Sequence, residues 1–186
     1  MNADRIVSFS AMLVGVATLG IVVYQTQLER EAKRAEVLPY VTMSLMANGE
    51  ATYIVVRNAG VGPALLEDVR IHYHGDELNV DPYDFYIAER GTTLGANLSV
   101  DKLIPGRLIS PGEVIRTLGW EGQGAREMVR ELLSVFDIGE VPDTWYTANG
   151  VVRSGPDKAI IEITYTSVYG ERWRVSSDKV VPERVD

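Results

Sequence analysis

The 186 residues contain only two histidines, His72 and His74, both within "VRIHYHG". In a strand, positions i and i+2 share a face, so two imidazoles spaced this way can hold one metal ion, with Asp76 or Glu77 adding oxygen. Arg70 falls on the same face and repels a cation, so the pair reads as a solvated outer face beside a turn. Asp76, Glu77, Asp81 and Asp84 form an acidic stretch. It lacks the alternating oxygen ligands, central glycine and closing glutamate of a calcium loop. Ser176 and Lys179 have the spacing of a serine–lysine pair, but that pair opens a helix and these residues end a strand. "GVGPA" is glycine-rich, yet Pro63 removes an N–H where a phosphate cradle needs one. There is no cysteine, which removes disulfides, thiolate zinc sites and a cysteine nucleophile. No Gly-x-Ser-x-Gly, phosphate loop or dinucleotide fingerprint occurs. On these grounds no catalytic, cofactor or metal residue is assigned, and the chain reads as non-enzymatic.

Recognition is the chemistry left to the aromatic residues. "DPYDFY" and "PDTWYTANG" read as aromatic-acidic loops, which makes Tyr83, Phe85, Tyr86, Trp145 and Tyr146 the candidate interaction surface. Core packing is the commoner fate of such rings. Trp173 takes a core position by strand alternation. The irregular stretches 75–112 and 137–157 would carry such a contact.

What must position these residues changes character along the chain. Ile6–Tyr24 is a run of 19 residues without a charge. At ~1.5 Å per residue it spans ~28 Å, close to the hydrocarbon thickness of a bilayer. It reads as a single-pass transmembrane helix after a tail at 1–5, with a juxtamembrane helix and linker over 25–38 that Pro39 ends. Arg30, Lys33 and Arg34 follow the segment and Arg5 precedes it, which favours the cytoplasm for the C-terminal part, with the periplasm as the alternative. Ala11 and Gly15, with Thr18 a turn further, form a small-residue face along which two helices can pack. Gly and Ala are also simply frequent in spanning helices. Residues 1–36 carry four basic and four acidic groups, so the net charge of −8 belongs to the remainder. That acidity argues against a nucleic-acid partner.

From Pro39 onward the apolar period becomes two. "YVTMSLM" puts Val41, Met43 and Leu45 on one face, "NGE" turns the chain and "ATYIVV" runs back. "RNAGVGPA" is a corner: its glycines and Asn58 suit a redirected backbone, and Pro63 bars a ladder donor. The next strand points Val69, Ile71 and Tyr73 inward. "LIPGRLISPGEVIRTLGW" reads as two edge strands broken by Pro-Gly turns. In "GAREMVRELLSVF" the residues Ala125, Met128, Val129, Leu132, Leu133 and Phe136 line one helical face. "AIIEITYTSVYGERWRVSS" is a hairpin turning at Gly170. The whole predicts a mainly β fold over 39–186: an antiparallel immunoglobulin-like sandwich with one amphipathic helix inserted, built from local, hairpin-like pairings.

The order of an apolar anchor, "VLPYVTMSL", "YIVVRNAGVGPALLEDVRIHYHG", "LISPGEVIRTL" and "ITYTSVYGERW" resembles a group of uncharacterised bacterial membrane-anchored proteins with an immunoglobulin-like sandwich. The resemblance covers most of the chain and implies fold and anchoring in a bacterial inner membrane, but no activity. Two functions follow as expectations. One is a tethered module that recognises a protein partner. The other is a structural or effector subunit of an oligomeric membrane complex, a pore or scaffold, assembled through Ala11, Gly15 and Thr18. The partners expected are the lipid bilayer and a protein, including a second copy of this chain; no cofactor is expected.

Overall fold

The computed structural model describes residues 3–91, 98–122, 124–139, 157–179 and 181–185. The chain divides into two units, Met1–Glu36 and Val37–Asp186.

The first unit is one helix, α1 (Ala3–Ala35). Within it Ala11–Lys33 is long and apolar enough to cross a membrane, and none of that span is buried. Thr18 and Thr26 donate their hydroxyls to Val14 O and Val22 O, each at 2.8 Å. These polar groups are thus satisfied inside the helix, as a hydrocarbon environment demands. The helix runs past Tyr24 without a break, because Gln25–Ala35 contains neither glycine nor proline. It stops just ahead of Pro39, which disfavours helical backbone at Leu38.

The second unit is mainly β. Its strands are β1 (Val41–Ala47), β2 (Ala51–Asn58), β3 (Ala64–Tyr73), β4 (Asp76–Leu78), β5 (Leu98–Ser99), β6 (Leu108–Ile109), β7 (Val114–Glu121), β8 (Ile160–Thr166), β9 (Arg172–Ser176) and β10 (Glu183–Val185). Its helices are α2 (Pro82–Arg90) and α3 (Ala125–Val135). One sheet has the order β1-β2-β7-β5; the other has β10-β9-β8-β3-β4, with β6 also on β3. Every strand pairing is antiparallel. The inward residues of both sheets meet in a single core: Met43, Leu45, Ile54 and Val56 from one, and Leu66, Ile71, Ile161 and Ile163 from the other. Helix α3 closes that core with the face its spacing predicts, from Ala125 through Phe136.

Local turn chemistry fixes the registers. Between β1 and β2, Gly49 takes φ 86° and the Asn48 side chain accepts from Ala51 N at 2.8 Å. Such a turn puts Leu45 opposite Ile54 and Met43 opposite Val56, so both strands bury the same face. Between β8 and β9, Gly170 at φ 79° turns the chain and sets Tyr165 opposite Trp173 and Ile163 opposite Val175.

Three expectations are corrected. The pairings are not confined to sequence neighbours, since β3 lies against β8 and β2 against β7. Strand β7 is not an edge; it sits between β2 and β5. Its alternation is broken by an extra residue, Thr117, at the register shift opposite Ile54 and Val55. Finally, "DPYDFYIAER" is helix α2 rather than a loop. Asp81 caps it by accepting from Tyr83 N at 2.8 Å, Pro82 occupies the first turn, and Gly91 ends it with φ 79°. Those are ordinary helix start and stop signals.

Candidate functional site

Alternation along β8 sends Ile161, Ile163 and Tyr165 into the core and leaves Glu162 on the outer face. The registers place Arg70 and Ser176 directly opposite Glu162 on the two neighbouring strands. His72 and Arg174 approach it diagonally. His72 Nε2 lies 3.5 Å from Glu162 Oε2, and Arg174 Nε lies 3.4 Å from Glu162 Oε1. The Glu162 side chain is only 15% exposed, so this carboxylate is the best-shielded charge on the face. The His72–Glu162 geometry does not form a hydrogen bond, and His72 Nε2 is buried without one. Around this cluster, beside β9 and β10, lies a shallow concavity of about 190 Å³. His72, Glu162, Arg174, Ser176, Asp178 and Lys179 line it.

The concavity offers charge and hydrogen bonding but no activated nucleophile. Ser176 Oγ bonds the Asp178 carboxylate. Lys179 Nζ bonds Glu183 Oε1 at 2.9 Å, and that bond raises the lysine pKa, the reverse of what a general base requires. The Ser176–Lys179 spacing therefore does not make a serine–lysine pair. His74 leaves the strand in a left-handed turn conformation, φ 52°, with its ring 4.1 Å from that of Tyr73. The strand geometry that would set the two histidines side by side ends one residue earlier. Among the described residues no group of three His, Cys, Asp or Glu stands ready for a metal ion. The acidic stretch has structural work instead. Glu77 pairs with Arg70, Asp84 holds Lys102 at 2.8 Å, and Asp81 caps α2 while its second oxygen accepts from Leu103 N at 2.8 Å.

The candidate aromatic surface divides. Phe85 and Tyr86 are 5% and 1% exposed, so they are not available to a partner. Helix α2 turns them inward, where their ring centroids lie 5.8 and 6.4 Å from that of Phe136. Burial pushes the Tyr86 phenol up to about 12. Tyr83 is half-buried, with Lys102 Nζ 5.4 Å from its ring centre. Trp145 and Tyr146 lie outside the described residues. On α1, Ala11, Gly15 and Thr18 are exposed, and a side chain added at Gly15 would meet nothing within 4 Å.

The corner that follows β2 is the most tightly specified part of the folded unit. Asn58 is fully buried and uses all its side-chain capacity. Its Oδ1 accepts from Tyr40 N at 3.2 Å and Gly60 N at 3.0 Å; its Nδ2 donates to Gly62 O at 2.8 Å and Ile109 O at 3.0 Å. Around it the backbone of 59–62 wraps the segment that begins the unit. Ala59 N donates to Tyr40 O at 2.7 Å, and Val61 N to Leu38 O at 3.2 Å. The two backbones approach so closely that a Cβ at Gly60 would sit 2.3 Å from Tyr40 N, and one at Gly62 would sit 1.7 Å from Val37 O. Only glycine fits at either place. "NAGVGPA" is thus a clasp on residues 37–40, not an anion cradle. Sequence reading recognises the corner but not what it grips, because nothing local in "EVLPY" announces a partner twenty residues on. Tyr165 adds a further tie: its hydroxyl accepts from Val41 N at 3.3 Å.

A domain family of unknown function, DUF8453, matches residues 6–180, which includes both the apolar helix and nearly all of the β unit. No curated protein matches the chain.

Proposed function

The chain belongs to the DUF8453 family, and we propose that it is a single-pass, membrane-anchored interaction module whose β unit is an immunoglobulin-like sandwich. One observation carries this reading. An unburied apolar helix ends at Ala35, and by Val37 the backbone is already gripped by the Asn58 corner. Only Glu36 separates the helix from the folded unit in the chain, so a spanning helix tethers that unit to its membrane. Arg30, Lys33 and Arg34 on the C-terminal side favour the cytoplasmic face of a bacterial inner membrane. The outer face of β8, β9 and β10 supports recognition of a charged protein segment, because Glu162, Arg174 and Lys179 converge on one concavity there.

The test is photo-crosslinking in cells, with a photoreactive residue replacing Lys179 in the full chain. A discrete adduct whose yield falls on Arg174→Glu supports recognition by this face. An adduct insensitive to that reversal, or none at all, counts against it. The alternative, an oligomeric pore or scaffold subunit, is separated by sizing the detergent-solubilised chain with and without Gly15→Leu. Assembly lost on that substitution would favour the alternative.

A further inference from the structure

Among the described residues the asparagines are Asn48, Asn58 and Asn79, and only Asn48 is followed by glycine. It opens the β1–β2 turn and is exposed to water. The backbone nitrogen of the next residue can close a five-membered ring on an asparagine side chain. Glycine leaves that nitrogen unscreened, because it has no Cβ.

The turn engages one atom of the Asn48 amide and leaves the reacting groups free. Asn48 Oδ1 accepts from Glu50 N at 3.2 Å and from Ala51 N at 2.8 Å. Two backbone donors are thus aimed at the oxygen that turns negative when Cγ is attacked, which is how an oxyanion is stabilised. The donors are themselves held in place. Asn48 N donates to Ala51 O at 3.0 Å, and Gly122 N to Glu50 O at 2.6 Å. The attacking group, Gly49 N–H, makes no hydrogen bond among the described residues, and neither does the leaving group, Asn48 Nδ2.

The other asparagines lack this arrangement. Asn58 is fully buried, and its Oδ1 and Nδ2 are both taken up by hydrogen bonds. The nitrogen that would attack it, Ala59 N, is spent on Tyr40 O at 2.7 Å. Asn79 precedes Val80, whose β-branched side chain crowds the nitrogen.

We propose that Asn48 is a site of spontaneous deamidation in the folded protein, promoted by the turn it opens. Gly49 N gives its proton to solvent hydroxide and bonds to Asn48 Cγ. The Cγ–Nδ2 bond breaks, and Nδ2 takes a proton from water and leaves as ammonia. Water then opens the succinimide. Opening at Cγ leaves aspartate, and opening at the main-chain carbonyl leaves isoaspartate. Aspartate still accepts from Glu50 N and Ala51 N, so the turn survives it. Isoaspartate adds a carbon to the main chain of the turn that sets the register of β1 against β2, and so works against the alignment of that pair. The reaction needs only water and does not depend on where α1 resides.

The test uses the detergent-solubilised full chain, native and in guanidinium, incubated at mildly alkaline pH in heavy-oxygen water. Trypsin digestion in ordinary water follows, so that only amides lost during the incubation carry the label. Cleavage after Arg34, Arg57, Arg70 and Arg90 puts Asn48, Asn58 and Asn79 in separate peptides. The expected result is that the 35–57 peptide of the native chain gains label at least as fast as that of the denatured chain, in resolvable aspartyl and isoaspartyl forms. The native 58–70 and 71–90 peptides stay unlabelled. Labelling of 35–57 that is slower in the native chain, or confined to the denatured one, would show that the turn protects the amide, and this overturns the proposal. An unlabelled 35–57 peptide in both states overturns it as well. Equal labelling of 58–70 in the native chain would show that burial and hydrogen bonding do not decide reactivity here, and the reasoning would fall with it.

Discussion

Asn58 is the residue whose removal should be felt most out of proportion to its size. Its four side-chain hydrogen bonds tie together the start of β1, the corner, and the end of β6, all within a fully buried site. Each bond is worth about 1 kcal/mol net, and stranded buried partners add to the loss, so Asn58→Ala should cost roughly 4 kcal/mol. That is a large share of the ~5–15 kcal/mol by which such a domain is stable. Asn58→Asp is the sharper probe. It preserves shape and the Oδ1 contacts with Tyr40 N and Gly60 N, but replaces the donating amide with an oxygen facing Gly62 O and Ile109 O. A buried carboxylate against two carbonyls should cost at least as much as alanine, despite being nearly isosteric. The assay is equilibrium denaturation of the detergent-solubilised full chain, followed by tryptophan fluorescence. If both variants unfold within about 1 kcal/mol of the parent, the hydrogen-bond reasoning is wrong and the corner is held by something else.

Two further predictions concern the β unit. Gly119 lies on β7 under the Tyr53 ring, where a Cβ would come within 2.1 Å of the ring and 2.5 Å of Thr52 O; Gly119→Ala should destabilise by about 1–3 kcal/mol in the same denaturation assay. Asp81 should separate capping from charge: Asp81→Ala loses the cap of α2 and about 1 kcal/mol, whereas Asp81→Asn keeps the cap through its amide oxygen and gives up only the bond from Leu103 N. Burial raises the Asp81 pKa above its usual value. The folded state therefore holds this proton more tightly than the unfolded chain, and the group's contribution to stability is lost as pH rises through the raised value. Asp81→Asn should remove that part of the pH dependence, as a stability series from acid to neutral pH would show.

Much of the fold is legible in residue order. The period of two in β1, β2, β8 and β9 and the period of 3.6 in α3 each mark the buried face, because burial is what those patterns encode. Helix α2 is legible too, from Asp81, Pro82 and Gly91, but the aromatic content of "DPYDFY" pulls attention to surface recognition. Phe85 and Tyr86 are instead drawn inward by the apolar area they bury around Phe136. The non-local sheet order is not legible. Which strand lies beside β3 depends on the competition of several similar apolar strands for one core, and no turn residue announces β8 as its neighbour. The Glu162 cluster is missed for the same reason, since His72, Glu162 and Arg174 come together only once β3, β8 and β9 are aligned. The clasp lies between these cases: its glycines and asparagine are visible, while their reason, the backbone of 37–40 pressed against them, is not.

The central claim is that α1 resides in a lipid bilayer and holds the β unit there. The most direct measurement is alkaline carbonate extraction of membranes from cells producing the full chain. The account predicts that the protein stays with the lipid pellet and is released only by detergent; recovery in the aqueous supernatant would contradict it.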